Sequence, residues 1–313
     1  MDGYSLNPGD LSWEPLKRFG EVTVWNRTSK EEILERARGA EILMVNKTVL
    51  DAATLKALPE LRLIAEMATG YNNIDIAAAK DLGIIVCNVP AYSTDSVAQM
   101  VFAQILNVTN RVETFAIHSR RGRWSACEDF CYWDEPLHEL TGLSLGILGL
   151  GNIGKKVAEI AKAFGMKVLA YTSKSQDDLP EGIRKVSLDE LFGQSDILSL
   201  HCPLTADTKG IVNGTTLAKM KDGAILVNTG RGPLINDQDV AGALASGRLG
   251  AYCADVMSVE PPSIDNPLLS EPRAFLTPHV AWATVEARGR LMSTLLSNIE
   301  AYLAGEPRNV VNK

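Results

Sequence analysis

Three short segments late in the chain carry side chains suited to acid–base and anion-binding chemistry. Asn228-Thr229-Gly230-Arg231-Gly232 sets an arginine in a glycine turn behind an apolar run. Asp255 to Pro261 sets Glu260 in a loop behind a second run, and Thr277-Pro278-His279 sets a histidine behind a third. An arginine fork clamps a carboxylate or keto oxygen through paired donors. A histidine gives a proton to a carbonyl oxygen and takes it back in the reverse direction. A carboxylate beside that histidine orients the ring and favours its protonated form. The reaction that needs all three is the reversible reduction of a 2-keto acid. Each alone has a plain structural alternative: a surface arginine, a glutamate before a proline turn, or a satisfied histidine.

A hydride for that reaction requires a dinucleotide, and the sequence offers a place for one. Leu145 to Leu148 is an apolar strand running into Gly149-Leu150-Gly151-Asn152-Ile153-Gly154, and Lys155 to Phe164 continues as an amphipathic helix. In a G-x-G-x-x-G turn the first glycine allows the tight bend, the second the approach of a pyrophosphate, and the third close helix–strand packing. The anion then sits on the helix N-terminus. A second strand at Lys167–Tyr171 completes the required order. Where an acidic residue would bind the ribose hydroxyls the chain instead reads Thr172-Ser173-Lys174. The expected cofactor is NAD, with NADP permitted because no carboxylate repels a 2′-phosphate there.

These residues must be held by a framework, and the hydrophobic pattern describes one. In the first ninety residues short apolar runs alternate with helical stretches. Strands are expected at Val22–Trp25, Ile42–Val45, Arg62–Ala65 and Ile84–Cys87, with helices from about Lys30 (Ser29 and Glu32 spaced as a capping box), from Asp51, and over Asp75–Leu82. Val97, Val101, Ile105, Val108, Val112 and Phe115 predict one long helix over Thr94–Arg120, followed by an aromatic loop over Gly122–Glu139. A second alternation predicts strands at Leu145–Leu148, Lys167–Tyr171, Ile197–Leu200, Ala224–Val227, Ala251–Ala254 and Ala274–Leu276. A last helix is expected over Thr284–Ala304, with Leu291, Leu295, Ile299 and Leu303 on one face and Gly305 beyond it. Such β–α alternation makes parallel sheets with helices on their faces.

Composition narrows the function classes. The net charge of −7 and the lack of a local basic stripe argue against nucleic acid as a partner. No apolar run approaches the roughly 20 residues of a membrane helix, and the first residues show no basic region followed by an apolar stretch, so no signal peptide is expected. The five scattered cysteines include a Cys127-x3-Cys131 pair with no second pair or nearby histidine, so no metal site is expected and reduced thiols in a cytoplasmic protein are.

The same segments resemble the D-isomer-specific 2-hydroxyacid dehydrogenase family over essentially the whole chain. They are Gly149–Gly154, His201-Cys202-Pro203-Leu204-Thr205 with Thr208, Asn228–Gly232, Asp255–Pro261 and Thr277–Thr284. The resemblance implies an α/β architecture of two Rossmann-like domains with a cleft between them. A flavodoxin-like substrate domain would comprise residues 1–97 with 285–313, and a dinucleotide-binding Rossmann domain residues 98–284. It implies that Arg231 binds substrate, that Glu260 pairs with His279, and that His279 is the acid/base. It also implies a cofactor contact set: Gly149, Gly151, Asn152, Ile153, Gly154, Thr172, Ser173, Lys174, Thr208, Thr229, Gly230, Arg231 and His279. Asp255 would hold the nicotinamide carboxamide, and His201, Cys202 and Pro203 would line the adenosine side. Ala68 to Asp75 resembles the family loop whose N–H groups cradle the substrate carboxylate, at Thr69 and Gly70.

Within the family, Asn88–Gln99 and His279–Thr284 look most like glycerate dehydrogenases, also called hydroxypyruvate reductases. No arginine or lysine lies in Thr69–Tyr71 to meet a substrate phosphate, which disfavours a phosphoglycerate. Glyoxylate, pyruvate and hydroxypyruvate all fit an arginine clamp. A homodimer through the long helix and the aromatic loop is expected. Two other readings have less support. A dinucleotide-sensing corepressor need not keep Arg231, Glu260 and His279, and a formate dehydrogenase would want a glutamine in place of Glu260.

Overall fold

The computed structural model describes all 313 residues, and its backbone divides into two compact units, Met1–Ser93 with Trp282–Lys313 and Thr94–Ala281. The divisions fall a few residues before the expected 97/98 and 284/285. The helix that starts at Thr94 stays whole: Ala98 and Val101, in its second turn, are buried in the second unit's core.

In the first unit, β1 (Ile42–Val45), β2 (Leu63–Glu66) and β3 (Ile85–Cys87) form a parallel sheet in that order. All four residues of the central strand β2 are buried, as expected of a strand covered on both faces. The capping box at Ser29 and Glu32 forms and opens a 3-10 turn leading into the helix Ile33–Ala37. Asp51 and Asp75 cap the helices Ala52–Lys56 and Ile76–Asp81 through their carboxylates. The strand expected at Val22–Trp25 does not form. That stretch has no sheet partner; its last carbonyl, of Trp25, accepts the Gly3 N–H, and the next, of Asn26, accepts the Tyr4 N–H.

The C-terminal helix Val285–Leu303 packs on this sheet, with Leu291, Leu295 and Ile299 in the core. Thr284 caps its start, and Gly305 follows it in the left-handed region. Leu303, expected on the same face, is exposed. The face instead includes Arg288, which is buried because its guanidinium makes two 2.6 Å bonds to the Asp10 carboxylate.

The second unit holds a seven-stranded sheet in the order β10-β9-β8-β7-β4-β5-β6. Its strands are β4 (Ser144–Leu148), β5 (Lys167–Tyr171), β6 (Ile183–Lys185), β7 (Ile197–Leu200), β8 (Ala224–Asn228), β9 (Leu249–Ala254) and β10 (Ala274–Leu276). Every pairing is parallel. All seven strands therefore deliver their following loops to one edge. β6 carries no sequence signal because only Ile183 of its three residues is buried.

The single helix expected over Thr94–Arg120 is two helices, Thr94–Asn110 and Val112–Arg120, broken by Arg111 in the left-handed region. The Asn107 side chain accepts the Glu113 N–H and so caps the second helix from within the first. Val112, expected in the buried stripe, is exposed beyond the break. The segment from Gly122 to Glu139 has no helix or strand, as its lack of periodicity predicts.

Candidate active site

The three chemical segments follow three neighbouring parallel strands. Arg231 lies three residues beyond β8, Glu260 six beyond β9 and His279 three beyond β10, all in the second unit at the C-terminal edge of its sheet. This is the edge at which open α/β sheets bind ligands.

His279 Nδ1 and Glu260 Oε2 are 2.7 Å apart. The other carboxylate oxygen of Glu260 accepts the Met257 N–H at 3.0 Å, which fixes the carboxylate plane. His279 itself is in the left-handed region, with φ +54°, where a non-glycine residue is rare and must be held. Asp255 does the holding. Its Oδ1 accepts the Thr277 hydroxyl and the Val280 N–H, and its Oδ2 accepts the Ala281 N–H at 2.7 Å. Burial pushes the Asp255 carboxyl up from the ordinary aspartate value, and these three donors and the nearby His279 pull it back. Two carboxylate oxygens offer about four acceptor positions, so one on Oδ2 remains beyond those used.

Arg231 is exposed, and one guanidinium nitrogen donates to the Gly230 carbonyl at 2.9 Å. The remaining donors of the fork can meet a carboxylate. Its turn is built by buried Asn228, which accepts the Gly230 N–H and donates to the Arg231 carbonyl. A Cβ on Gly232 would lie 1.8 Å from the Met257 carbonyl oxygen. The Arg231 turn and the Glu260 loop therefore touch backbone to backbone. Neither the role of Asn228 nor this contact is legible in the sequence, because each depends on which loops the sheet order makes neighbours.

The glycine turn after β4 fits a dinucleotide. Gly149 has φ +95°, and a Cβ there would meet Cys202 N at 2.5 Å. A Cβ on Gly154 would meet the Gly149 carbonyl oxygen at 2.4 Å. A Cβ on Gly151 would meet nothing within 4 Å, so open space lies where a pyrophosphate is expected to approach. Asn152 and Ile153 open the helix Asn152–Ala163, which has neither a side-chain cap nor an acidic residue in its first turn. Its leading N–H groups suit an anion. Thr229 adds a hydroxyl that is buried without a hydrogen-bond partner.

His201 Nε2 lies 2.8 Å from the Ser199 hydroxyl, and burial pushes the imidazole down to about 4, so this ring is neutral. Burial likewise pushes the Cys202 thiol up to about 11. Thr208 donates to the Pro203 carbonyl and accepts the Thr205 N–H, closing the turn beside them. After β5, Thr172 accepts the Lys174 N–H, and Lys174 Nζ reaches the Leu150 carbonyl at 3.2 Å. The Lys155 ammonium beside it holds Lys174 below the ordinary lysine value.

Thr69 and Gly70 belong to the first unit, in the loop after β2. The Thr69 hydroxyl donates to the Val89 carbonyl, and Asn88 donates to the Thr69 carbonyl.

Comparison with known proteins gives the family. Residues 102–281 match the model of the D-isomer specific 2-hydroxyacid dehydrogenase NAD binding domain. The chain is 46% identical to a hydroxypyruvate reductase of Blautia hydrogenotrophica, covering 100% of this chain and 98% of that one. It is 44% identical to a glycerate dehydrogenase of Methylorubrum extorquens, over 90% of this chain and 88% of the other. Among solved structures it resembles an acyclic imino acid reductase in complex with NADPH and D-Arg. The TM-score is 0.86 at 33% identity, with 96% of each chain covered. The chain belongs to the D-isomer-specific 2-hydroxyacid dehydrogenases, NAD(P)-dependent oxidoreductases acting on a CH–OH group.

Proposed function

We propose that the chain is a glycerate dehydrogenase that reduces hydroxypyruvate and runs in reverse, with Arg231, Glu260 and His279 as its catalytic set. The observation that carries this reading is the 2.7 Å pairing of His279 Nδ1 with Glu260. With Nδ1 on the carboxylate, Nε2 is the nitrogen that exchanges a proton with the substrate oxygen. Glu260 stabilises the charged ring in the proton-donating state and fixes its tautomer in the other. Arg231 binds the substrate and polarises the keto oxygen through its fork, and in the first unit the N–H groups of the Thr69–Gly70 loop are the proposed receivers of the substrate carboxylate. The two relatives at 46% and 44% identity support hydroxypyruvate and glycerate over other members of the class.

The nicotinamide dinucleotide, when bound, supplies or takes up the hydride. Gly149, Gly151, Asn152, Ile153 and Gly154 hold its pyrophosphate, and Thr229 gives its unpartnered hydroxyl. Asp255 takes the carboxamide on its remaining acceptor position, and His201 to Pro203 line the adenosine. The cofactor is NAD, with NADP admitted by Thr172, Ser173 and Lys174.

The protein works as a homodimer. Phe130 is 89% and Trp133 66% exposed on an irregular segment of the second unit, large aromatic area that a second copy would cover. Five free cysteines suit a reducing, cytoplasmic setting.

The test is initial-rate spectrophotometry with hydroxypyruvate, glyoxylate, pyruvate and phenylpyruvate, each with NADH and with NADPH. The highest kcat/KM is expected for hydroxypyruvate with NADH. A higher value for another keto acid removes the glycerate assignment, and no oxidation with any pair removes the catalytic reading.

A further inference from the structure

The central strand of the first unit ends in a carboxyl group that the catalytic scheme does not use. Glu66 closes β2 and is fully buried. Its Oε1 has no hydrogen-bond partner, and its Oε2 accepts one bond, from Asn73 Nδ2 at 3.1 Å. The same Asn73 amide donates to the Thr48 carbonyl at 3.1 Å.

The position of this group matters because the loop that follows is the one read above as receiving the substrate carboxylate. Met67 is pinned at the loop's start: its N–H donates to the Val45 carbonyl, and its carbonyl accepts from Asn46 Nδ2 at 2.8 Å. Asn73 is near the loop's far end. Glu66 therefore touches the loop where it returns, across the span that contains Thr69 and Gly70.

Two other charged groups face the site. Asp2 is one; its Oδ2 accepts the N–H groups of Asn46, Lys47 and Thr48 and the Thr48 hydroxyl. The Lys47 ammonium, on the turn after β1, is the other. Burial pushes the Glu66 carboxyl up to about 8. The Asn73 bond and Lys47 pull it down, and Asp2 adds to the rise. A buried carboxyl with one unpaired oxygen is stable when it carries a proton and costly when it does not.

We propose that Glu66 is a positioning residue for the keto-acid reaction. Its carboxyl holds the Ala68–Asn73 loop through the Asn73 bond in the conformation that receives the substrate carboxylate. Its ionisation sets a negative charge behind that loop and weakens substrate binding. The inference rests on the reading that this loop binds the substrate. The direction follows from the raised value: the binding-competent neutral form dominates at pH 7 and is lost as pH rises through 8.

The experiment is the pH dependence, from 6.5 to 9.5, of KM and kcat for hydroxypyruvate and for glyoxylate at saturating NADH. It is run on wild type, Glu66→Gln and Asn73→Ala. When only the neutral form binds, the apparent constant scales inversely with its fraction, so wild-type KM rises about tenfold between pH 7 and pH 9. Glu66→Gln keeps the wild-type KM at pH 7 and lacks that rise. Its kcat follows wild type, because Arg231, Glu260 and His279 are the same in both. Asn73→Ala raises KM for the keto acid at pH 7 and leaves KM for NADH unchanged. A Glu66→Gln profile that tracks wild type at every pH overturns the inference while leaving the loop's role standing if Asn73→Ala still raises KM. An Asn73→Ala enzyme with wild-type KM overturns the loop reading and the inference with it. Should Glu66→Gln not fold, a wild-type KM that stays flat to pH 9.5 is sufficient to refute the proposal.

Discussion

The contact between the Arg231 turn and the Glu260 loop can be broken by adding one methyl group. In Gly232→Ala the new Cβ falls 1.8 Å from the Met257 carbonyl oxygen, 2.0 Å from its carbon and 2.5 Å from Ser258 N. All three atoms are backbone, so no rotamer relieves the overlap. One main chain must withdraw by about 1.5 Å to reach ordinary contact. Arg231 is adjacent to the added group. Met257 is bonded through its N–H to the Glu260 carboxylate, which in turn holds His279. The displacement is therefore applied between the anion clamp and the acid–base pair. A misplacement of about 1 Å costs on the order of 10² in rate, so kcat should fall at least about 100-fold, equivalent to about 2.7 kcal/mol.

Overpacking of this kind also costs about 1–3 kcal/mol of stability, seen as a fall of several degrees in the thermal midpoint. Steady-state kinetics in both directions and thermal unfolding measure the two effects. Gly242→Ala is the control. It lies in the helix Asp237–Ala245 with nothing within 4 Å of its added Cβ, so it should be neutral or slightly stabilising. A Gly232→Ala enzyme with half the wild-type kcat and an unchanged midpoint would refute the reasoning, because the two loops would then not be held by this contact.

His279→Ala should cut turnover by roughly 10² to 10⁴, the usual loss of acid–base catalysis, with dinucleotide binding retained in a fluorescence titration; an equal loss of dinucleotide binding means the residue's role is misassigned. Asp255→Asn keeps the side-chain volume but turns an NH2 toward the N–H of either Val280 or Ala281. It should lower stability by about 2–3 kcal/mol and kcat with it, and an unchanged thermal midpoint contradicts the role given to Asp255. Trp133→Leu removes much of the exposed aromatic surface and should weaken self-association about tenfold by sedimentation. Unchanged dimerisation together with unchanged kinetics rejects that surface as the interface.

The residues that were legible share a physical reason for being so. Gly149 and Gly154 are places where backbone meets backbone, at distances no side chain survives, and such constraints are written directly as residue type. Asp51, Asp75 and Thr284 cap helices within their own segment, so type and spacing suffice to find them. The misreadings arose where a segment's partner is remote. Val22–Trp25 has the residues of a strand, but the carbonyls of Trp25 and of Asn26 just beyond it bond to residues 3 and 4. The apolar stripe through Val112 continues at helical spacing across a break set by one left-handed residue, Arg111, and by a cap reaching from Asn107.

The candidate site divides along the same line. Arg231, Glu260 and His279 are recognisable because each follows its strand within a few residues, and a parallel sheet brings such positions to one edge whatever the strand order. What turns proximity into geometry comes from neighbouring strands and cannot be read locally. β9 lies between β8 and β10, so Asp255 from its end can hold the turn after β10. The same adjacency lets the loop after β9 rest on Gly232 after β8. The middle strand thus supports both of its neighbours, and its loop also carries Glu260. The His279–Glu260 pair and the Arg231 turn are in this way referred to one element, which fixes the proposed acid–base pair relative to the proposed anion clamp. A sequence shows which side chains take part in such chemistry. The order of strands determines which residues keep them in place.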